Sequence, residues 1–271
     1  MKKFFSYILF FTFIYFNQAS AITNYKFPEK PIDGDFCQNL LEQFNFSHFP
    51  YDSEEPFKTN INLLIEDIGE IDGKNLEFSA FFSLHIDWID PRIGEALKNL
   101  NMYEETEKPT WLCDYEPGTV WGKERKVFDP VIEFFNRKSK PDFQNGLVDW
   151  VDVFSNGAIE TRLRDNAKFK SSAFNFRKFP FDKQTLTFEL WSEYPSTMIS
   201  LEPSPAMKDY KDSLYNYEGE DGIVIPGWEL KEVTYETYEY VEQTDGFPYK
   251  GFILNLEVER ISAYYIYKVI L

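Results

Sequence analysis

The sequence predicts an all-β fold, a sandwich or barrel built from many short strands. Short runs with alternating apolar and polar side chains recur along the chain, separated by tight-turn pairs such as Asp72-Gly73 and Asn156-Gly157. No segment of helical periodicity lies between these runs. The 271 residues include 28 phenylalanines and 17 tyrosines, which supply enough aromatic surface for a substantial core.

Residues 1–21 have the pattern of a cleaved signal peptide. Lys2 and Lys3 form a positive start, residues 4–16 are an apolar run, and Ala19-Ser20-Ala21 is a small-x-small cleavage site. A membrane anchor is the alternative, but the apolar run is shorter than the ~20 residues that a spanning helix needs. We therefore expect an exported protein, with residues 22–56 as an N-terminal extension and residues 57–271 as a β-domain.

The N-terminal extension predicts one short amphipathic helix. Asp35 and Gln38 fit a capping box, and Phe36, Leu40 and Phe44 follow at helical spacing. The polar, proline-flanked stretch that comes next would end this helix.

The two cysteines of the chain are Cys37 and Cys113. Export permits a disulfide between them. Sequence separation does not fix the distance between two side chains, so a pair of separate buried thiols remains the alternative.

The sheet region starts near Phe57, and its clearest strand follows the Asp72-Gly73 turn. Alternation in that strand predicts one core face and one polar face, the latter including Ser83, His85 and Asp87. The core face carries Leu76, Phe78, Ala80, Phe82, Leu84, Ile86 and Trp88. Residues 91–126 and 202–226 are predicted to be irregular, apart from a helical turn near residues 94–100. Further strands are expected at residues 127–135, 147–153, 158–164, 169–176, 186–191, 198–201, 228–241 and 252–261.

A proline turn at residues 179–182 precedes one of these strands. Pro180 fixes its own φ and favours an extended Phe179, while Asp182 can close the turn on nearby backbone. After the turn, Leu186, Phe188 and Leu190 alternate with polar residues, as in a half-buried strand.

Composition excludes several classes of function. The formal net charge of −17 disfavours nucleic acid, which needs a basic surface, and favours cations. No nucleophile, zinc, phosphate-loop or dinucleotide motif occurs, and only two histidines are present. We therefore expect neither an enzyme nor a resident metal or cofactor. A carboxylate pair for glycoside hydrolysis and a calcium site in an acidic loop are the open alternatives.

Five stretches, in order, resemble the extracellular ligand-binding domain of pentameric ligand-gated ion channels, the Cys-loop receptor superfamily. The family's Phe-Pro-Phe-Asp turn is similar to residues 179–182, and its Trp-x-Asp-x-Arg motif to residues 88–92. The other three similar stretches are Phe128-Asp129-Pro130-Val131-Ile132-Glu133-Phe134-Phe135-Asn136, Gly227-Trp228-Glu229-Leu230 and residues 260–271. The resemblance covers residues 57–271 and implies an immunoglobulin-like β-sandwich of about ten strands with a short N-terminal helix.

The chain departs from the animal receptors of that family at the bracketing cysteines. Ser172 and Leu186 stand where those receptors have a disulfide, so the pattern is similar to prokaryotic members. The sequence also ends where the family continues into a proline and four membrane helices. We expect a truncated homopentameric channel whose missing membrane domain would follow Leu271. A soluble exported binding protein of the same fold is the alternative.

The resemblance implies a small-molecule site between adjacent subunits. An aromatic box suits an organic amine, whereas a carboxylate at Glu193 would suit proton sensing. The residues placed at this site by the family's motifs are Phe135, Glu193, Tyr194, Tyr238, Tyr240, Phe247 and Tyr249, with Ser83 and His85 on the neighbour's facing strand.

The resemblance also implies a coupling region at the opposite end of the domain. Asp72 lies in the first turn, Asp182 in the proline turn, and Arg260 just before the expected membrane helix. We expect Arg260 to bridge Asp182 and Asp72, or a near neighbour, through charge-assisted hydrogen bonds. The function expected is ligand binding on the outside of a cell membrane. A β-sandwich carbohydrate-binding module, an adhesion module or a glycosidase is the competing interpretation.

Overall fold

The computed structural model describes residues 55–103, 105, 109–115, 127–128, 130–138, 148–209, 223 and 225–270. Within these ranges the chain forms ten strands, two α-helices and one 3-10 helix, so the predicted all-β class is confirmed. The strands are β1 (Phe57–Asp72), β2 (Glu77–Ile89), β3 (Trp111–Tyr115), β4 (Ile132–Phe134), β5 (Val148–Phe154), β6 (Ala158–Lys170), β7 (Lys183–Ser192), β8 (Ile199–Pro203), β9 (Trp228–Val241) and β10 (Pro248–Arg260). The helices are α1 (Pro91–Asn99), a 3-10 helix (Pro205–Asp209) and α2 (Ala263–Ile270).

Two sheets make the sandwich. The first has six strands in the order β3-β5-β6-β2-β1-β8, and the second has four in the order β4-β7-β10-β9. Neighbouring strands are antiparallel except β1 and β8, which run parallel. The apolar face predicted for β2 is buried from Phe78 to Trp88. Leu76 lies outside β2, exposed and with a φ of 56°, so its predicted place in the core is wrong.

A cluster of phenylalanine rings joins the two sheets at the centre of the core. Phe169 of β6 is fully buried, with ring centroids 5.5 Å from Phe78, 5.8 Å from Phe82, 5.1 Å from Phe134 and 4.9 Å from Phe188. Three of these contacts are edge-on, the geometry that aromatic quadrupoles favour. These rings come from strands of both sheets, so the cluster fixes one sheet against the other.

The helix predicted near residues 94–100 is confirmed as α1. Asp90 caps it by accepting the backbone N–H of Arg92, and Pro91 stands at its first turn. Gly157, with a φ of 81°, approaches this cap so closely that a Cβ there would lie 2.8 Å from the carbonyl oxygen of Asp90. The hairpin between β5 and β6 therefore needs glycine at this position.

Several predicted strand boundaries are wrong. β4 covers only Ile132–Phe134 of the strand expected at residues 127–135, and β10 runs from Pro248 to Arg260 instead of from 252 to 261. A strand expected at residues 169–176 does not exist, because β6 runs unbroken to Lys170 and the chain then leaves the sheet. The hydroxyl of Ser171 donates to the carbonyl of Thr185 and fixes this exit. Residues 91–126, predicted to be irregular, contain β3, whose backbone pairs with β5.

Several predictions fall outside the described residues. The signal peptide at residues 1–21 and the short helix after Asp35 both lie there. Among the residues that the structure does describe, no helix has the length and apolar character needed to span a membrane.

Candidate functional site at the β9–β10 hairpin

Aromatic side chains gather on the outer face of the four-stranded sheet, near the β9–β10 hairpin. Gly251 of β10 stands in register between Trp191 of β7 and Tyr238 of β9, and Tyr249 stands opposite Tyr240. A Cβ on Gly251 would lie 2.3 Å from the ring of Tyr238. Because Gly251 has no side chain, the ring of Tyr238 can lie directly over its backbone.

We call these rings the hairpin ring cluster, and its members are Phe135, Trp191, Tyr238, Tyr240 and Tyr249. Each ring contacts at least one other ring of the cluster. Tyr238 stacks on Tyr240 with centroids 6.0 Å apart, and Tyr240 stacks on Tyr249 at 5.7 Å. The indole of Trp191 lies 6.4 Å from Tyr240 and 6.0 Å from Tyr249, and the exposed Phe135 meets it edge-on at 6.2 Å. The cluster presents a continuous aromatic surface.

Hydrogen bonds to acids fix two of the tyrosines. The Tyr238 hydroxyl donates to Glu189 at 2.5 Å, and the Tyr249 hydroxyl donates to Asp245 at 2.7 Å. Burial and the Glu189 hydrogen bond raise the pKa of Tyr238, and the Asp245 hydrogen bond, with burial, raises the pKa of Tyr249 to about 12. Burial and nearby carboxylates raise the pKa of Tyr240 as well. All three tyrosines are neutral phenols at physiological pH.

The tip of the hairpin is built by local hydrogen bonds. Asp245 accepts the backbone N–H of Phe247 as well as the Tyr249 hydroxyl, and these bonds hold the pKa of Asp245 below its usual value. Glu242 accepts both the backbone N–H and the hydroxyl of Thr244. The tip is thereby tied to the ring cluster through Tyr249.

Three of the predicted box residues lie at different depths. Phe135 is 64% exposed and reaches the cluster through Trp191. Glu193 is exposed, so the partial burial expected for a proton-sensing carboxylate is absent in the single chain. Tyr194 packs on the core 5.5 Å from Phe128, because the Ser192 hydroxyl accepts its N–H where β7 ends. Tyr194 is thus placed away from the ring cluster.

The remaining predicted residues divide between the two outer faces. Phe247 is exposed at the hairpin tip. Ser83 and His85 lie on β2, on the outer face of the other sheet, so within one chain they cannot meet the ring cluster. There the Ser83 hydroxyl donates to Glu66, and His85 Nδ1 lies 2.8 Å from Glu160.

The sequence prediction missed Trp191 and Glu189. The alternation of β7 contained the signal for both residues. Leu186, Phe188 and Leu190 face the core, so the odd-numbered positions after the proline turn face outward. Continuing that alternation by one step places the indole of Trp191 on the same outer face as Glu189.

The opposite end of the domain contains the predicted ion pair. Arg260 donates from Nε to Asp182 Oδ1 at 2.7 Å and from Nη2 to Oδ2 at 3.1 Å, a bidentate contact. Asp182 is 1% exposed, and Gln184 gives its carboxylate a further hydrogen bond. Burial opposes ionisation, but these hydrogen bonds outweigh it and hold the pKa of Asp182 below its usual value.

Aromatic rings surround the guanidinium of Arg260. Its central carbon lies 4.0 Å from the Trp228 ring centroid, 5.0 Å from Phe179, 5.5 Å from Tyr265 and 6.0 Å from Phe176. Tyr265 belongs to α2 and packs edge-on against Phe179. The cage therefore joins β9, β10, the proline turn and the first turns of α2 around one cation.

Asp72 is not part of this ion pair. Its carboxylate accepts the backbone N–H groups of Lys74 and Asn75 and the Asn75 amide, so it closes its own turn. The prediction that Arg260 bridges Asp72 is wrong for this reason. The β1–β2 turn instead approaches the cage at Gly73, where a Cβ would lie 2.9 Å from the ring of Phe176.

The other predicted groups concern sulfur and metals. Cys37 lies outside the described residues, so its pairing with Cys113 does too. Within the described ranges, no three His, Cys, Asp or Glu side chains are grouped to hold a metal ion. At the hairpin, the described side chains can make aromatic contacts and hydrogen bonds with a ligand.

Comparison with known proteins is consistent with this geometry. The model of the neurotransmitter-gated ion-channel ligand binding domain matches residues 33–261, which include both sheets, the proline turn and the hairpin. A proton-gated ion channel of Gloeobacter violaceus is 23% identical over 182 residues, covering 67% of this chain and 43% of that relative. The chain thus spans less than half the length of that channel. It belongs to the family of neurotransmitter-gated ion-channel ligand-binding domains.

Proposed function

We propose that this domain binds a small organic cation at the hairpin ring cluster and passes the binding signal to an ion pore. The observation that carries the proposal is the contact between Trp191, Tyr240 and Tyr249, with Phe135 exposed at its edge. A ligand would lie over this aromatic surface beneath the hairpin tip. The acids near the rings support a cation as the ligand.

The physical attraction comes from two sources. Aromatic faces attract a cation, with tryptophan the strongest, and the effect grows as water is excluded. Glu189 and Asp245 add negative charge behind the phenols, and the formal net charge of −17 raises the local concentration of cations. Because the phenols stay neutral, Tyr238 and Tyr249 keep their hydrogen bonds at physiological pH.

A second copy of the chain would complete the site. Ser83 and His85 lie on the outer face of the six-stranded sheet, and a neighbouring subunit could present that face to the ring cluster. We propose a homopentamer in the cell membrane with this domain on the outside, exported by the signal peptide. The channel name of the Gloeobacter relative supports a pore in the whole protein.

The Arg260 cage is the proposed route to the pore. Arg260 is the last residue of β10, and helix α2 begins three residues later at Ala263. A shift of the β9–β10 hairpin would move Arg260, and with it Asp182, Phe179 and Tyr265. This route would carry a change at the ring cluster to both the proline turn and α2.

Titration of the full chain with tetramethylammonium, followed by isothermal calorimetry, tests the ligand proposal. Trp191→Ala is expected to weaken binding by about 5–30-fold, since an indole contact with a desolvated cation contributes about 1–2 kcal/mol. Phe181→Ala is the matched control, because Phe181 is an exposed ring in the proline turn, away from the hairpin.

Equal isotherms for the wild type and Trp191→Ala would contradict the proposal. Binding of a neutral oligosaccharide, with no binding of the cation, would favour the carbohydrate-binding interpretation instead.

A further inference from the structure

A row of carboxylates crosses the outer face of the six-stranded sheet. Asp152 of β5 is in register with Glu160 of β6, which is in register with Asp87 of β2. The row continues through Asn60 of β1 to Glu202 of β8. Directly opposed residues on neighbouring strands have Cβ atoms about 4.5–5.5 Å apart, so like charges in such a row repel.

The carboxylates of this row, which we call the acid row, differ in the groups that offset their negative charge. Glu202, at the edge, pairs with Lys250 at 2.6 Å. Inside the row, Asp87 accepts a hydrogen bond from the neutral amide of Asn60 at 2.7 Å. No cation donates to Asp87 in the described part of the chain.

The other two acids inside the row have different partners. Asp152 accepts the indole N–H of Trp111 at 3.0 Å, a contact that adds no positive charge. Glu160 contacts His85, which is a cation only when protonated. Among the described residues, the adjacent Asp87 and Glu160 therefore share a single cationic contact, that of His85, and His85 is titratable.

A buried acceptor beside His85 gives independent support. Asn62 stands directly opposite His85, is 5% exposed, and its amide oxygen has no hydrogen-bond donor. Neutral imidazole has one N–H, whereas the protonated ring has two. With Nδ1 turned to Glu160, protonation adds an N–H at Nε2, the kind of donor that the amide oxygen of the opposed Asn62 lacks. Arg162, opposite His85 on β6, is the other charged group facing the ring.

We propose that Asp87, Glu160 and His85 form a proton-binding site on the outer face of the six-stranded sheet. One proton on Asp87 removes the repulsion from Glu160, and one on His85 gives Glu160 a cationic partner. A proton fits the site better than a metal, because the described residues contain no three-ligand group for a metal ion. The inference goes beyond the proposed cation site. His85 lies on the face that a neighbouring subunit would present to the ring cluster, but proton binding at Asp87 and Glu160 needs no ligand at the hairpin.

The sign of the effect on stability follows from Asp87. Burial and the charge of Glu160 raise the pKa of Asp87 in the folded chain, and the Asn60 hydrogen bond and His85 offset this only in part. Between the ordinary pKa of an aspartate and this raised pKa, the folded state holds more protons than the unfolded state. The contribution of Asp87 to stability therefore falls as the pH rises through that window.

Thermal unfolding of the full chain against pH tests the site, with Asp87→Asn as the main variant. Asparagine keeps the shape of aspartate but carries no charge. The Tm of the variant relative to the wild type is expected to rise by about 2–4 °C across the window, the size of shift typical of a single substitution in a chain of this length. Infrared difference spectra should show a protonated carboxyl in the wild type and none at this position in Asp87→Asn.

Glu202→Gln is the matched control, because Glu202 belongs to the same row but is paired with Lys250. It should leave the protonated-carboxyl signal of the wild type unchanged. Glu160→Gln removes the neighbouring charge and should make that signal disappear at a lower pH than in the wild type, which keeps the test valid if Asp87→Asn does not fold. A Tm difference that stays constant with pH, or a carboxyl signal unaffected by both Asp87→Asn and Glu160→Gln, would overturn the site. Neither result bears on binding of tetramethylammonium at Trp191.

Discussion

Replacing Arg260 with methionine is expected to lower the free energy of unfolding by about 3–5 kcal/mol, measured by urea denaturation at neutral pH. The substitution removes the bidentate partner of Asp182, which is 1% exposed and ionised. Without Arg260 the buried carboxylate has lost its hydration and its cationic partner, and it keeps only the hydrogen bond from Gln184. Methionine keeps much of the apolar contact with Trp228 and Phe179, so the loss reports mainly on the charge.

Lys183→Met supplies the matched control for this prediction. Lys183 follows Asp182 in the chain and pairs with Glu257 at 3.2 Å, but this pair is exposed. Its removal should cost no more than about 1 kcal/mol. Similar decreases in the free energy of unfolding for the two variants would show that the Arg260 ion pair stabilises this end of the domain no more than an exposed pair does.

The pH dependence adds a second readout on the same pair. Because the pKa of Asp182 lies below its ordinary value, its contribution to stability is present above that ordinary value and lost as the pH falls through the folded one. Arg260→Met should flatten this part of the acid unfolding curve. A curve as steep as that of the wild type would contradict the assignment.

Replacing Phe169 with alanine is expected to destabilise the fold by a similar amount, about 3–5 kcal/mol. Phe169 is fully buried, and its ring meets Phe78, Phe82, Phe134 and Phe188. Alanine leaves a cavity between the two sheets that the surrounding β-strands cannot close without breaking register. Urea denaturation with Phe181→Ala as control measures the effect.

Phe181 is 63% exposed, so its truncation should change stability by less than about 0.5 kcal/mol. A small loss for Phe169→Ala would mean that the two sheets are held together elsewhere. The contrast between two phenylalanines of one chain separates core packing from general loss of aromatic surface.

The strands of the sandwich were predictable where one face alternates cleanly. β9 has the predicted bounds, Trp228–Val241, and β2 differs by one residue at each end from the predicted Leu76–Trp88. The strand expected at residues 169–176 failed because Phe174 and Phe176 also alternate with polar residues, yet they pack from the irregular segment after β6 and not from a sheet. Alternation reports that a side chain is buried, and it does not reveal that the backbone has left the sheet.

The candidate site was predictable in part. Tyr238, Tyr240 and Tyr249 flank a hairpin visible in the sequence, and the register brings Tyr240 and Tyr249 together. Trp191 was missed because motif matching placed Glu193 at the aromatic position, whereas strand alternation favours Trp191. The bridge from Arg260 to Asp72 was wrongly predicted because the local turn already supplies hydrogen bonds to this carboxylate, which no long-range motif records.

Hydrogen–deuterium exchange with and without tetramethylammonium tests the central claim most directly. If the cation binds over the hairpin ring cluster, amides of residues 238–249 and 189–192 should exchange more slowly when it is present. Trp191→Ala should abolish that protection, and residues 57–65 of β1 should be unaffected in both proteins. Unchanged exchange at the hairpin, or protection confined to another part of the sandwich, would contradict the account.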